Sequence, residues 1–186
     1  PGTYNVTLVK VEKGESTVLA GPNAFEVVPL REGALKGAPH SEVSAFLRRY
    51  ESAVSASSKL MEELEDLNET NNAIGIALKR SQAEPGDLDK RYFEINKKVK
   101  MLNTDINGNS AKLEIGEKTK PNLPDRLFDV YRGISNSTYG PTETHKKVMQ
   151  LIEEELQQKQ QQLEAVDNKM DKLIEDMRAA GAPPIE

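Results

Sequence analysis

Three long stretches of this chain repeat an apolar side chain every three or four residues, and that rhythm limits the fold more than any other feature. From about residue 41 to 80 the stripe is Val43, Phe46, Leu47, Tyr50, Ala53, Val54, Leu60, Met61, Leu64, Leu67, Ile74 and Leu78. From 87 to 107 it is Leu88, Tyr92, Ile95, Val99, Leu102 and Ile106, and from 142 to 180 it is Val148, Ile152, Leu156, Leu163, Val166, Met170, Leu173 and Met177. Three apolar positions per heptad make the broad face of a bundle helix, not the narrow seam of a two-stranded coiled coil. A shorter stretch, "LPDRLFDVYRGIS", places Leu127, Val130, Tyr131 and Ile134 on one side.

Helix length follows from residue count. At 1.5 Å per residue the first and last stretches span about 58 Å each, the second about 30 Å and the short one about 20 Å. Laid end to end, the two middle pieces nearly match one long helix. The expected fold is therefore mainly α: an elongated antiparallel three-helix bundle, its middle rod broken into a longer and a short helix, with a small N-terminal antiparallel β piece. The punctuation agrees. Ser41 is the expected cap of the first helix, Asp87 of the second and Thr142 of the last, with His145 three positions inside. "EPGD" at 84–87 stops the first helix, Asn107-Gly108-Asn109 the second, and Gly181 with Pro183-Pro184 the last. Asn68, Asn71, Asn72 and Gly75 interrupt the first stripe. They predict a kink or loosened packing there, with a polar binding spot as the sharper alternative.

The first thirty residues follow different rules. "TYNVTLVKV" alternates through Tyr4, Val6 and Leu8 before Val9 and Val11 break the phase. "EKGES" reads as a hairpin loop, "TVLAG" as a return strand, Pro22-Asn23 as a turn and "AFEVVPL" as a further short strand. Two or three strands enclose no core. They either rest on the helices or are the tail of a β-sandwich. The expected division is a β piece at 1–30, a linker at 31–40 and the helical bundle at 41–186. The opening "PGTY", a turn entering a strand, suggests a piece of a longer protein.

Composition removes several function classes. Only 5% of residues are aromatic while 30% are charged, a mix suited to thin helical packing. The net charge of −5 and pI near 5.3 disfavour nucleic acid as a partner, because phosphate binding needs clustered Lys and Arg. With no cysteine there is no disulfide, no thiolate metal site and no cysteine catalysis. No apolar run approaches the roughly 20 residues of a membrane span.

One stretch imitates a metal site. In "NTDINGNSAKLE" the oxygen-bearing residues Asn103, Asp105 and Asn107 occupy positions 1, 3 and 5, with Gly108 at 6 and Glu114 at 12, close to a calcium loop. Asn103 replaces the usual aspartate, Ser110 sits where an apolar residue links paired loops, and Ile106 belongs to the preceding stripe. A helix ended by a left-handed Gly108 accounts for the same residues. His40 and His145 lack the companion ligands that zinc requires. The carboxylates of Met61–Glu69 and Ile152–Leu156 belong to solvated helix faces, not to a cleft with two facing acids. There is no nucleophile elbow, P-loop or dinucleotide fingerprint. Neither catalysis nor a cofactor is expected of this chain. Asn5, Asn68 and Asn136 open Asn-x-Ser/Thr sequons, which matter only in a eukaryotic secretory pathway.

Taken in order, "PGTYNVTLV", "FEVVPL", a long helix, "LPDRLFDVYRGISNSTYGPTETH" and a long helix closing in "MRAAGAPPIE" resemble the C-terminal region of bacterial BNR-repeat proteins of the sortilin-like "glycosyl hydrolase" group. The carrying residues are Pro1-Gly2-x-Tyr4, Arg126-Leu127, Pro141-Thr142 and Gly181-x-Pro183-Pro184-Ile185. The resemblance covers nearly the whole chain and none of the family's β-propeller. It implies a non-catalytic accessory module whose partners are the propeller and sandwich of its own parent chain, and a parent exported to the periplasm or cell surface. It carries over no catalytic residue. A stand-alone helical protein-binding module is the alternative, and a calcium-stabilised module a third. An exposed strand edge or apolar seam leaves room for a homodimer.

Overall fold

The structure is a computed structural model that describes residues 1–30, 35–81 and 86–184. Part of the expected linker, the Glu84-Pro85 half of the "EPGD" stop, and Ile185 fall outside these residues. Among the described residues there are two strands, β1 (Gly2–Glu12) and β2 (Glu15–Val27). There are five helices: α1 (His40–Arg80), α2 (Leu88–Asn107), α3 (Ser110–Glu114), α4 (Leu123–Ser135) and α5 (Glu143–Ala179). The fold is mainly α with a small antiparallel β piece.

The helices form a three-rod bundle, up, down and up. Cross-links fix the directions. Lys146 of α5 pairs with Glu42 of α1 at 2.6 Å, and Arg49 of α1 grips Glu153 of α5 with two bonds of 3.0 and 2.7 Å. Both pairs join equivalent ends, so α1 and α5 are parallel. Arg91 at the start of α2 meets Asp176 near the end of α5 at 2.6 Å, so α2 is antiparallel to both. α4 continues in the direction of α2: Arg126 pairs with Glu155, and Tyr131 stacks on Tyr50 with ring centroids 5.8 Å apart. The core is one continuous cluster running from Phe46 and Ile134 at one end to Leu88 and Met177 at the other.

The stripes become that core with a few changes. Met149 is fully buried where Val148 was expected, and Val148 packs beside it. Met61 and Tyr131 lie at the stripe margins and are 39% and 49% exposed. Asn71, expected to loosen the packing, is itself buried, and its Nδ2 donates to Asn96 Oδ1 at 3.0 Å. Nearby Gly75 is also buried, with the Tyr92 hydroxyl lying where a Cβ would stand. The interruption in the stripe is therefore a close approach of two helices.

The caps divide between agreement and correction. Thr142 accepts from the His145 amide and its own amide donates to His145 Nδ1, both at 3.2 Å, a complete capping box. Beyond α5, Ala182 N–H donates to Met177 C=O and Gly181 N–H to Arg178 C=O, the paired bonds of a Schellman ending. Ser41 is not the cap of α1: the helix starts at His40 after Pro39, whose carbonyl accepts from Glu42 and Val43. Asp87 precedes α2 without a side-chain cap bond. Between α2 and α4 the chain forms the short α3, capped by Asn109, whose side chain accepts from the Lys112 amide.

The break in the middle rod is held by one side chain. Asn122 Oδ1 accepts from the Asp125 amide at 2.8 Å, capping α4, while Nδ2 donates to the Asn107 carbonyl of α2 at 3.2 Å. One amide thus satisfies an orphan donor of one helix and an orphan acceptor of the other.

The β piece is a single hairpin. Lys13 and Gly14 link the strands with φ of 53° and 86°, the signs of a type I′ turn. The expected turn at Pro22-Asn23 and separate third strand do not occur. β2 runs through the cis Gly21–Pro22 peptide and pairs with β1 from Glu15 to Val27, its extra residues absorbed as register shifts beside Leu8. β1 is long enough to template both segments, so bulge-like irregularities replace a turn.

Two substitutions test these readings by chemical denaturation. Asn122→Ala should cost about 1–2 kcal/mol, and Asn122→Asp, which keeps the acceptor and loses the donor, should cost less. Gly75→Ala should destabilise although alanine gains about 1 kcal/mol of helix propensity, and the penalty should shrink or reverse in a Tyr92→Leu background.

Candidate functional site

Three regions could carry function: the calcium-like stretch, the seams between helices and the hairpin. The calcium-like stretch begins inside α2. Asn103, Asp105 and Asn107 occupy its last two turns, where successive alternate residues point about 200° apart and cannot converge on one ion. Asn107 Nδ2 donates to Asn103 Oδ1 at 2.9 Å, and Asp105 is tied to Lys159 of α5 at 2.7 Å. Glu114 ends α3, separated from them by Gly108, whose φ of 83° and ψ of 179° are positive but extended, not left-handed helical. Among the described residues no group of three or more His, Cys, Asp or Glu is placed to hold a metal.

The histidines are apart in role. His145 completes the α5 capping box and lies against Gly133 of α4. His40 opens α1 and lines a hollow of about 330 Å³ with Tyr131, Ser135 and Thr138. Beside this hollow the chain entering α1 is strapped to the α4–α5 connection. Ala38 N–H donates to Tyr139 C=O at 2.8 Å, and Gly37 packs on the Tyr139 backbone.

Several carboxylates tie helices together. Glu153 and Glu155 hold Arg49 and Arg126, and Glu63 accepts from Gln160 at 2.8 Å and pairs with Lys59 at 3.3 Å. These hydrogen bonds, Gln160 first, hold the Glu63 carboxyl below its usual value. Nearby Asp167 moves the other way. Partial burial, then the charges of Asp171 and Glu63, raise its pKa. The opposite flank of α5 is basic: Lys169 and Lys172 meet Arg91 and Lys98 of α2 around a groove of about 240 Å³. Sequence reading missed this segregation, because it joins residues some seventy positions apart.

The hairpin is the largest unsatisfied feature. Every residue of both strands is exposed, and neither strand packs against a helix. Tyr4 and Phe25 stack at 6.0 Å across the ladder while remaining about half exposed. Val6, Leu8, Val9, Val11, Val18, Leu19 and Val27 are likewise open to solvent. The apolar phase changes from even to odd positions where the ladder shifts register, between Leu8 and Val9. Each strand also has an outer edge of unpaired N–H and C=O groups, the geometry that accepts a further strand.

Asp167 supplies a pH test. Its folded pKa is raised, so the folded chain binds more protons than the unfolded chain between the ordinary value of 3.8 and the raised one. Stability from this group therefore falls as pH rises through that window and stays lowered above it. Asp167→Asn should raise the denaturation midpoint at pH 7, and the gain should vanish below about pH 3.8.

No helix among the described residues is long and apolar enough to cross a membrane. No family model, curated protein or solved structure matches this chain.

Proposed function

We propose that this chain is a non-catalytic accessory module of a larger protein, a helical bundle that carries a β-hairpin to complete a sheet or sandwich supplied by a neighbouring domain. The observation that carries the reading is the hairpin. It exposes nine large apolar side chains, Tyr4 to Val27, and among the described residues it pairs only with itself. A lone two-stranded hairpin is marginal in water. Its exposed apolar surface and free edges are satisfied together by added strands and a covering sheet.

Within this reading the BNR-repeat, sortilin-like resemblance names the parent. The neighbouring domain is the family's sandwich, the propeller does any ligand capture or glycoside chemistry, and the parent is exported. Support for this finer step is the quoted motif order, joined by the exposure of its "PGTYNVTLV" strand. A stand-alone helical protein-binding or assembly module is the second reading, favoured by the unpaired hairpin edges, which would equally take a strand from a second copy.

Two measurements separate these. The coding sequence upstream of Pro1 should encode a β-rich domain with BNR repeats; a parent without a propeller refutes the finer reading. Hydrogen exchange should show the amides of Gly2–Val27 weakly protected in this chain and strongly protected when the upstream domain is present. Equal exchange in both overturns the accessory role. Deleting residues 1–30 should leave the bundle's unfolding free energy within about 0.5 kcal/mol, because no helix loses a contact.

A further inference from the structure

We propose that the α2–α5 groove around Arg91, Lys98, Lys169 and Lys172 binds a doubly charged tetrahedral oxyanion of the phosphate or sulfate class. The inference is independent of the hairpin's role. In a chain of net charge −5, four cations line one groove of about 240 Å³. One carboxylate, Glu94, shares the lining, and the nearby Asp176 is already bound to Arg91 at 2.6 Å.

Elsewhere along the seams, cations that reach across are matched by acids. Lys146 meets Glu42, Arg49 meets Glu153, Arg126 meets Glu155 and Lys159 meets Asp105. Among the described residues, Lys98, Lys169 and Lys172 have no carboxylate within 4.0 Å. Instead the Lys98 and Lys169 amines approach each other. The nearness and charge of the Lys98 amine push the Lys169 pKa down, and the charge of Glu94 opposes them. Two ammonium groups held together without an anion are unfavourable, whereas an oxyanion between them turns the same geometry into charge-assisted hydrogen bonds. The acids that could have neutralised them, Asp167 and Asp171, stand with Glu63 on the other flank of α5.

The buried Ile95 side chain lies in the groove lining, and a second hollow of about 310 Å³ sharing Lys98 and Lys169 continues past Met101, Leu102, Ala165 and Val166; its polar lining is Gln162 and Asp105, whose carboxylate is already paired with Lys159. A phosphate monoester with an apolar substituent would therefore extend along the seam, and a free ion would fill only the cationic end.

Thermal unfolding of the whole chain at pH 7 in sodium phosphate, against sodium chloride of equal ionic strength, reads the site. The midpoint should rise by about 2–4 °C once phosphate reaches about four times its Kd. The double variant Lys98→Gln/Lys169→Gln should lose this response and, relieved of repulsion, melt no lower than wild type in chloride. Lys79→Gln should keep the response. Equal midpoints in the two salts, or a response that survives in the double variant, overturn the site. Should the double variant fail to fold, amide NMR shifts of the wild-type chain titrated with phosphate decide. Changes concentrated at 91–98 and 169–172 support the site, and changes absent or spread along all helices refute it. Phenyl phosphate binding more tightly than inorganic phosphate identifies an ester as the ligand; the reverse order identifies the free ion.

Discussion

The apolar stripe of α5 holds the bundle together. α5 packs along its length against α1 on one side and against both α2 and α4 on the other, and α1 likewise meets both pieces of the middle rod. Neither piece of the middle rod is long enough to span the bundle. Eight buried residues from Met149 to Met177 let one unbroken helix splint two broken ones. The polar contacts serve this arrangement. The cross-links to Arg49, Arg126 and Asp105 flank the stripe and fix its register, although surface pairs of this type contribute only about 0.2–1 kcal/mol each. Asn122 then closes the junction that α5 brings together.

The interior is not uniformly apolar, and its polar residues sit where helices come close. Ser57 and Asn71 are buried polar side chains of α1, and Gly75 follows one turn after Asn71. The Asn71–Asn96 bond satisfies one amide hydrogen and leaves Asn71 Oδ1 without a partner in the structure. An apolar pair of similar shape would be at least as stable. What the amide pair adds is selectivity: sliding α2 by a turn against α1 would bury both amides unpaired and drive the Tyr92 ring off Gly75. A three-helix bundle with repetitive stripes needs such a marker, because heptad packing alone accepts several registers.

The elements whose determinants are local were legible. Stripes at period 3.6, the Thr142 cap with His145 inside it, the Gly181 ending and the short helix beginning at Leu123-Pro124 all depend on residues within one turn of each other. The elements decided by distant contacts were not. Ser41 has the better side chain for a cap, yet the chain is already helical at His40, because Gly37 and Ala38 are fixed by Tyr139 a hundred residues away. The strand expected to turn at Pro22 runs on because β1 offers it a partner. The calcium-like spacing could not be told from a helix end in one dimension; the hydrophobic phase of Ile106 was the deciding mark, and α2 includes it in the core. The basic groove was invisible, since Lys98 and Lys169 belong to separate helices whose individual charge patterns look mixed and solvated.

Bundle and hairpin therefore solve the burial problem in opposite ways. Along the helices, apolar stripes close on one another, and only scattered large apolar side chains such as Phe93, Met101 and Phe128 stay exposed among charged residues. The hairpin spends its pattern outward: its stacked Tyr4–Phe25 pair and the valines around it gain little from each other while half their surface meets water. Burying nine such side chains would be worth about 1 kcal/mol or more apiece at roughly 25 cal/mol per Å², far beyond what the ladder alone supplies. A partner engaging the hairpin therefore has most of its binding free energy available from apolar contact. On the bundle side, the chain entering α1 is fastened at Ala38 to Tyr139, so its direction there does not depend on the first turn of the helix.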